Sequence, residues 1–302
     1  MHKILVMLAA YNGGPWIASQ VDSILVQRKV QLRLLVGDDC SSDGAVDELK
    51  SADVERIEIL RFSVPSGGAG QNFIRIFGGA ALEPFEYVAL SDQDDLWYPD
   101  KLARAICILQ SRGADGYSSA VTAFWPDGRE QVLCQNSALT DLDFLFEGAG
   151  QGCTFVLRGD FARQVQGILR SSPLNLSAVH YHDWLIYAIS RALGKQWVFD
   201  PEPSMLYRQH TGNDTGARAR LAGMKKRLGL IRNGWYANQV RQMIAVVSSL
   251  NDRAIPSDFL AAWNCPEGAR RRLWLARILL ARSRRRASDR LALAVFSLLG
   301  WL

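Results

Sequence analysis

Short, nearly continuous apolar runs separated by amphipathic stretches set the pattern of residues 1 to 110. Ile4-Leu5-Val6-Met7-Leu8 and Leu32-Arg33-Leu34-Leu35-Val36 stop abruptly at turn chemistry, as strands covered on both faces do. Ile57 to Phe62 alternates before Pro65-Ser66-Gly67-Gly68, and Tyr87-Val88-Ala89-Leu90 predicts a fourth strand. Between them, Pro15 to Gln27 places Ile17, Val21, Ile24 and Leu25 on one helical face. Asn72 to Gly79 is a shorter amphipathic segment, and Pro99 to Leu109 opens with proline, which is tolerated in a first helical turn. This alternation predicts an α/β fold, a mostly parallel sheet with helices on both sides.

Further along, Val121 to Trp125, Cys153 to Leu157 and Trp197 to Phe199 read as strands, the last of them short. Asp160 to Leu169 and His182 to Leu193 read as helices, and Gly212 to Gly216 as a lid-like loop. Beyond the loop the chain turns into Arg-rich helix, so the expected division is 1–216 and 217–302.

Composition narrows the class. The 302 residues are 48% hydrophobic, enough for a full core and too apolar for a disordered chain. The five cysteines are scattered without a Cys-x-x-Cys pair, which argues against a disulfide framework or a zinc site and fits a reducing cytoplasm. The apolar start lacks the length and cleavage chemistry of a signal peptide and is expected to be a buried strand. Charge is split. Residues 217–302 carry 17 Lys and Arg against 4 Asp and Glu, whereas residues 1–216 carry 18 against 26. An acidic body joined to a basic tail results, and the tail is suited to an anionic surface.

Ligands of open α/β sheets lie beyond the carboxyl ends of the strands. Four motifs fall there: Ala10-Tyr11-Asn12-Gly13, Gly37-Asp38-Asp39-Cys40-Ser41-Ser42-Asp43, Ser66-Gly67-Gly68-Ala69-Gly70-Gln71-Asn72, and Ser91-Asp92-Gln93-Asp94-Asp95-Leu96-Trp97. In the last, three carboxylates crowd into four positions and repel one another unless a cation or solvent relieves them. An Asp-x-Asp at a strand end suits a hard divalent metal that also takes phosphate oxygens. Neither the Gly-x-Gly-x-x-Gly fingerprint nor a Gly-Lys-Ser/Thr phosphate loop is present, which excludes a dinucleotide or P-loop site. Asp92 to Ala103 is not a calcium loop either, because Trp97 stands where glycine is needed and Ala103 where glutamate is needed.

Together with His182-Asp183-Trp184 and Tyr207-Arg208-Gln209-His210-x-x-Asn213, these motifs resemble family 2 glycosyltransferases of the GT-A fold, nearest the bacterial rhamnosyltransferase-like branch. The likeness runs in family order over roughly residues 1 to 216. It implies a Rossmann-like sheet flanked by helices, followed here by the basic helical extension. It also implies an inverting, metal-dependent transfer from a nucleotide sugar, with Mg²⁺ or Mn²⁺ as the cofactor. On that resemblance Tyr11 and Asp39 hold the nucleobase and ribose with Asp38 supporting their loop. Asn12, Asn72 and Gln93 belong to the same nucleotide-sugar site. Asp94 is the direct metal ligand, Asp92 contacts ribose or a metal-bound water, and Arg208 and His210 grip the diphosphate. Asp183 matches the catalytic base, with His182 and Trp184 flanking it on the acceptor side. Gly152 and Cys153 read either as shaping the donor or acceptor pocket through close backbone approach or as a turn before a strand. Cys40 departs from the glycine of many relatives and is expected to alter the turn without abolishing binding.

The implied donor is dTDP-L-rhamnose, with a UDP-hexose as the alternative, and the implied acceptor is a surface polysaccharide or its lipid-linked precursor. In the tail, Arg270 to Leu280 alternates cations with bulky apolar residues, as at the interface of an anionic bilayer. Packing on the catalytic domain or on a second copy of the chain is the other reading, and no nucleic-acid motif accompanies the arginines. The expected location is the cytoplasmic face of the plasma membrane. A scaffold that kept the fold and lost turnover is the non-enzymatic alternative.

Overall fold

The computed structural model describes residues 1–52, 55–134, 138–171, 176–210 and 228–302. Its centre is a mixed sheet of nine strands in the order β3-β2-β1-β4-β8-β6-β9-β5, with β7 on β6. The parallel half contains β1 (His2–Ala10), β2 (Val30–Asp38), β3 (Ile57–Arg61) and β4 (Tyr87–Ser91). Every residue of β1 from Ile4 to Ala10 is buried, which is why its run is apolar throughout instead of alternating. Register pairs Ala10 with Asp38 and Leu8 with Ser91, so the motifs that follow these strands emerge along one sheet edge.

The helices of this half are α1 (Ile17–Leu25), α2 (Ala45–Ala52), α3 (Ala69–Gly79) and α4 (Lys101–Arg112). The other half adds β5 (Leu96–Trp97), β6 (Gly116–Phe124), β7 (Glu130–Leu133), β8 (Val156–Arg158) and β9 (Trp197–Arg208). Here β8 is antiparallel to both β4 and β6, and β9 runs parallel to β6. Two expectations change. Cys153 does not begin a strand, because Gly152–Thr154 is a 3-10 turn and the strand starts at Val156. The strand at Trp197 is not short: it continues twelve residues to Arg208, accommodating Pro201 and Pro203 through register shifts against β6. The loop expected at Gly212 to Gly216 and the boundary at 216/217 lie outside the described residues.

The chain forms two compact units that are not consecutive stretches. The first comprises Met1–Asn136, Ala149–Asp183 and Lys195–Asp214 and contains the sheet. Also within it is α6 (Gly159–Ser171). The second comprises Ser137–Gly148, Trp184–Gly194 and Thr215–Leu302. α7 (His182–Ala192) begins in the first unit and ends in the second.

The second unit holds α5 (Asp143–Phe146), α8 (Trp235–Leu250), α9 (Ser257–Trp263), α10 (Ala269–Arg282) and α11 (Ala287–Leu298). Its arginines are largely spent internally. Arg285 pairs with fully buried Asp143 at 2.9 Å, Arg284 with Glu147 at 3.1 Å, and Arg282 with both Asp141 and Asp258. Arg271 and Arg272 share Glu267. Arg270 and Arg277 stay exposed without an acidic partner among the described residues. Leu273 and Leu280 on α10 are about half exposed, as are Leu291, Val295, Leu298 and the adjacent Leu299 on or just beyond α11. Among the described residues, no helix is long and apolar enough to cross a membrane.

Candidate functional site

The loops at the carboxyl edge are tied to one another before any ligand is considered. Gln93 Oε1 accepts from Tyr11 N at 2.8 Å, and Gln93 Nε2 donates back to Tyr11 O at 2.9 Å, locking the β1 loop to the acidic loop. Asn12 Oδ1 accepts from Ser42 N, and Asp43 Oδ2 accepts from Gly14 N, both at 2.8 Å, joining the β1 and β2 loops. Asp38 Oδ1 accepts from Ser41 N at 2.9 Å. Asn72 is buried and donates to Gly37 O at 2.9 Å and Ala10 O at 3.4 Å, so it clamps the ends of β1 and β2. Asp39 is also buried, accepting from Ser66 N, Ser66 Oγ and Arg75 Nη1. Tyr11, by contrast, stands 56% exposed at the rim, free to cover a planar ligand. Cys40 adopts φ +65°, a left-handed turn that explains the preference for glycine there, and its thiol donates to Phe62 O at 3.1 Å.

The acidic loop converges on one point. Oxygens of Asp92 and Asp95 and the Cys153 sulfur lie within 4.8 Å of one another. Asp95 is fully buried; its Oδ1 accepts from Arg208 N at 3.1 Å, and its Oδ2 has no hydrogen-bond partner. Burial, and then the charges of Asp94 and Asp183, push the Asp92 carboxyl up to about 7. Burial raises Asp95 and the Cys153 thiol as well. An orphaned carboxylate oxygen among crowded carboxylates fits a divalent cation, whose charge relieves the repulsion. Asp94 Oδ2 is held by His210 Nε2 at 2.7 Å, and the His210 ring stacks on Trp16 at 4.1 Å. Arg208 Nε donates to Asp94 O at 2.8 Å, with its guanidinium over Phe124. The two residues expected to grip the diphosphate therefore both meet Asp94.

Asp183 sits in the first turn of α7, and its charge reaches Asp92. The approach to it is built on α3. Gln71 Nε2 donates to Leu176 O at 2.9 Å and Val179 O at 2.5 Å, and Phe73 stacks on His182 at 3.9 Å. Burial drives His182 down to about 3, leaving it neutral, and its Nε2 has no hydrogen-bond partner. That nitrogen packs against Gly152, where a Cβ would come within 2.6 Å of it. Trp184 belongs to the second unit, where its indole donates to Phe144 O at 2.9 Å and stacks on Tyr236.

Sequence reasoning passed over Trp16, Ser66, Arg75, Asp95 and Lys101. Asp95 was visible in the acidic run, but nothing in the pattern distinguished an anchoring carboxylate from a ligating one. Lys101 at a helix start reads as solvated, yet it is 1% exposed.

The profile of Glycosyl transferase family 2 matches residues 5–164. The chain is 36% identical over 239 residues to the dTDP-rhamnosyl transferase RfbG of Shigella flexneri, covering 78% of this chain and 83% of that one. It is 32% identical over 123 residues to TuaG of Bacillus subtilis, a putative teichuronic acid biosynthesis glycosyltransferase, covering 38% of this chain and 46% of that one. Among solved structures, S. aureus TarS 1-349 superposes with a TM-score of 0.57 at 14% identity, over 92% of this chain and 70% of that one. The mannosyltransferase PcManGT of Pyrobaculum calidifontis, in complex with GDP-Man and Mn²⁺, gives 0.51 at 16%, over 98% and 86%. Both likenesses are of fold, the sheet flanked by helices expected from the motifs.

Proposed function

The chain belongs to glycosyl transferase family 2 and is a glycosyltransferase of GT-A fold, and from that premise we propose that it moves L-rhamnose from dTDP-L-rhamnose to a sugar hydroxyl with inversion. The acceptor is a bacterial surface polysaccharide or its lipid-linked precursor. One observation carries the reaction class: at the edge where the β1 and β2 loops are joined, the Asp92 carboxyl feels both Asp94 and Asp183. Leaving-group side and base side thus meet at one carboxylate. The donor sugar is supported by the 36% identity to a dTDP-rhamnosyl transferase over most of both chains.

Asp183 takes the proton of the attacking hydroxyl, which is a weak nucleophile without a base. Tyr11 covers the nucleobase at the rim, while Asp38, Asp39, Asn12, Asn72 and Gln93 hold the loops around the nucleoside. Asp92 and Asp94 would hold Mg²⁺ or Mn²⁺, which supplies neutralisation of the charge developing on the departing diphosphate. Arg208 and His210 lie on the same side and bring cationic or hydrogen-bonding groups to that charge. Displacement in one step needs no covalent enzyme intermediate. The exposed leucines and unpaired Arg270 and Arg277 of the second unit support attachment to an anionic membrane at the cytoplasmic face, next to a lipid-linked acceptor.

Thermal melting with a panel of nucleotides and nucleotide sugars, with and without Mn²⁺, tests this reading because a ligand of the folded state raises Tm. Metal-dependent stabilisation by dTDP or dTDP-rhamnose that disappears in Asp94→Ala is the expected result. Stabilisation by UDP-sugars instead would replace rhamnose with a hexose, in line with the UDP-GlcNAc complex of TarS. No response to any nucleotide would remove the donor site.

A further inference from the structure

The second unit contains a small pocket that no part of the transfer chemistry uses. Its volume is about 300 Å³, and four guanidiniums line it, those of Arg232, Arg241, Arg271 and Arg272. Arg232 precedes α8 and Arg241 stands within it; both are exposed, and neither has an acidic partner among the described residues. Arg271 is 7% exposed and is fixed from three sides, donating to Trp263 O at 3.3 Å, Glu267 Oε2 at 2.6 Å and Leu302 O at 2.9 Å. Arg272 donates through Nε to Glu267 Oε1 at 2.7 Å. Glu267 thus serves two of the four, and counting it with the Leu302 carboxyl still leaves two positive charges in excess.

Two further features shape the pocket for an anion. Gly300 has φ +74°, and a Cβ there would fall 2.6 Å from Cζ and Nη2 of Arg272, so the chain turns against the guanidinium where only glycine leaves room. Gly234 and Ala237 bring the start of the sixteen-residue α8 to the same pocket, and its N-cap residue, Gly234, supplies no side-chain cap. The amides and the positive end of a helix favour an anion at that place. Among the described residues, Nη2 of Arg271 and both Nη atoms of Arg272 make no hydrogen bond, so each fork keeps donors for a ligand. Such forks match the oxygens of a phosphate group. We propose that this pocket binds a phosphate group, free or at the head of a membrane lipid. Its apolar neighbours favour the lipid: Leu273 follows Arg272, Leu298 and Leu299 precede Gly300, and each is about half exposed. Trp301 lines the pocket as well, an aromatic ring suited to a wet apolar boundary. The leucines then hold the membrane, and the pocket selects the head group.

The test removes charge inside the pocket and, as a control, the same charge outside it. Arg232→Gln/Arg241→Gln takes two guanidiniums from the pocket, whereas Arg270→Gln/Arg277→Gln takes two exposed ones that do not line it. None of the four has an acidic partner among the described residues, so both variants should melt like the parent in chloride. In EDTA, replacing chloride by inorganic phosphate at constant ionic strength should raise Tm of parent and control by about 2 °C or more. The pocket variant should need about tenfold more phosphate for the same rise. Phosphatidylcholine vesicles with and without phosphatidic acid then identify the source. Co-sedimentation that rises with phosphatidic acid for parent and control, but not for the pocket variant, supports the proposal and assigns the site to a lipid head group. A phosphate response that needs the pocket, with vesicle binding that does not, supports it with free phosphate as the ligand. A pocket variant that answers both probes as the parent does overturns the proposal, because phosphate then binds elsewhere. Equal losses in the two variants overturn it as well, because net charge is then the cause. A parent that answers neither probe does the same.

Discussion

Gly70 is where the site is most sensitive to a single carbon. It lies in the first turn of α3, and a Cβ there would fall 3.0 Å from the His180 carbonyl carbon and 3.3 Å from His182 N, nearer still to His180 O. All three neighbours are backbone, so no side chain can swing aside. Ordinary carbon contacts lie at about 3.5–4.0 Å, and the His180 oxygen is the tightest neighbour, so Gly70→Ala must push the segment before Asp183 away by more than about 1 Å. Gln71 and Phe73 hold that segment to the same helix, which prevents it from sliding freely. Overpacking of this kind costs about 1–3 kcal/mol, or roughly 2–12 °C in Tm at this size. A misplacement near 1 Å in a catalytic group can cost about 10²-fold in rate. The expected phenotype is therefore a modest loss of stability with turnover of dTDP-rhamnose down by about two orders of magnitude, while dTDP alone still raises Tm. Gly167→Ala is the control: it is mid-α6, exposed, with nothing near its missing Cβ, and should gain about 0.5–1 kcal/mol. Parental turnover and melting in Gly70→Ala would refute both the close approach and its link to Asp183.

The remaining predictions concern the two loops. Asp92 holds its proton up to about pH 7 in the metal-free fold against 3.8 when unfolded, so its contribution to stability declines as pH rises from about 4 to 7. A cation must displace that proton, so stabilisation by Mn²⁺ should weaken by about tenfold in apparent affinity per pH unit below 7; a flat response between pH 5 and 8 would contradict the assignment. At Cys40, replacement by glycine removes left-handed strain but also the thiol bond to Phe62 O and adds unfolded-state freedom, so Tm should move by less than about 2 °C. Cys40→Val should cost more than about 1 kcal/mol because a branched Cβ resists positive φ, which a melting curve reads directly.

The parallel half of the fold was legible because strands covered on both faces announce themselves as unbroken apolar runs, and each here ends at turn residues. The edge-on clustering of four motifs followed from that alternation alone. What escaped had physical reasons. Pro201 and Pro203 disguised the length of β9, since a strand that shifts register can absorb prolines that a regular one cannot. Cys153 read as strand because its neighbours are apolar, while the Lys101 ammonium that binds its carbonyl is 52 residues away in sequence. Asp39 and Asn72 stood out as polar residues in the right loops, and sequence gives no means of telling a side chain that touches ligand from one that clamps the loops that do.

The ion pairs of the second unit bear on how the protein meets a surface. Nine arginines between Arg270 and Arg290 suggest high valence, but five of them are already neutralised by acids of the same unit. What this segment offers to its surroundings is instead apolar, with six half-exposed leucine and valine side chains beside exposed Arg270 and Arg277. Adhesion built this way is governed by apolar area, so raising ionic strength should barely loosen it. On the membrane attachment proposed above, washing membranes with concentrated salt should leave the enzyme in the pellet and mild detergent should release it; release by salt alone would refute this.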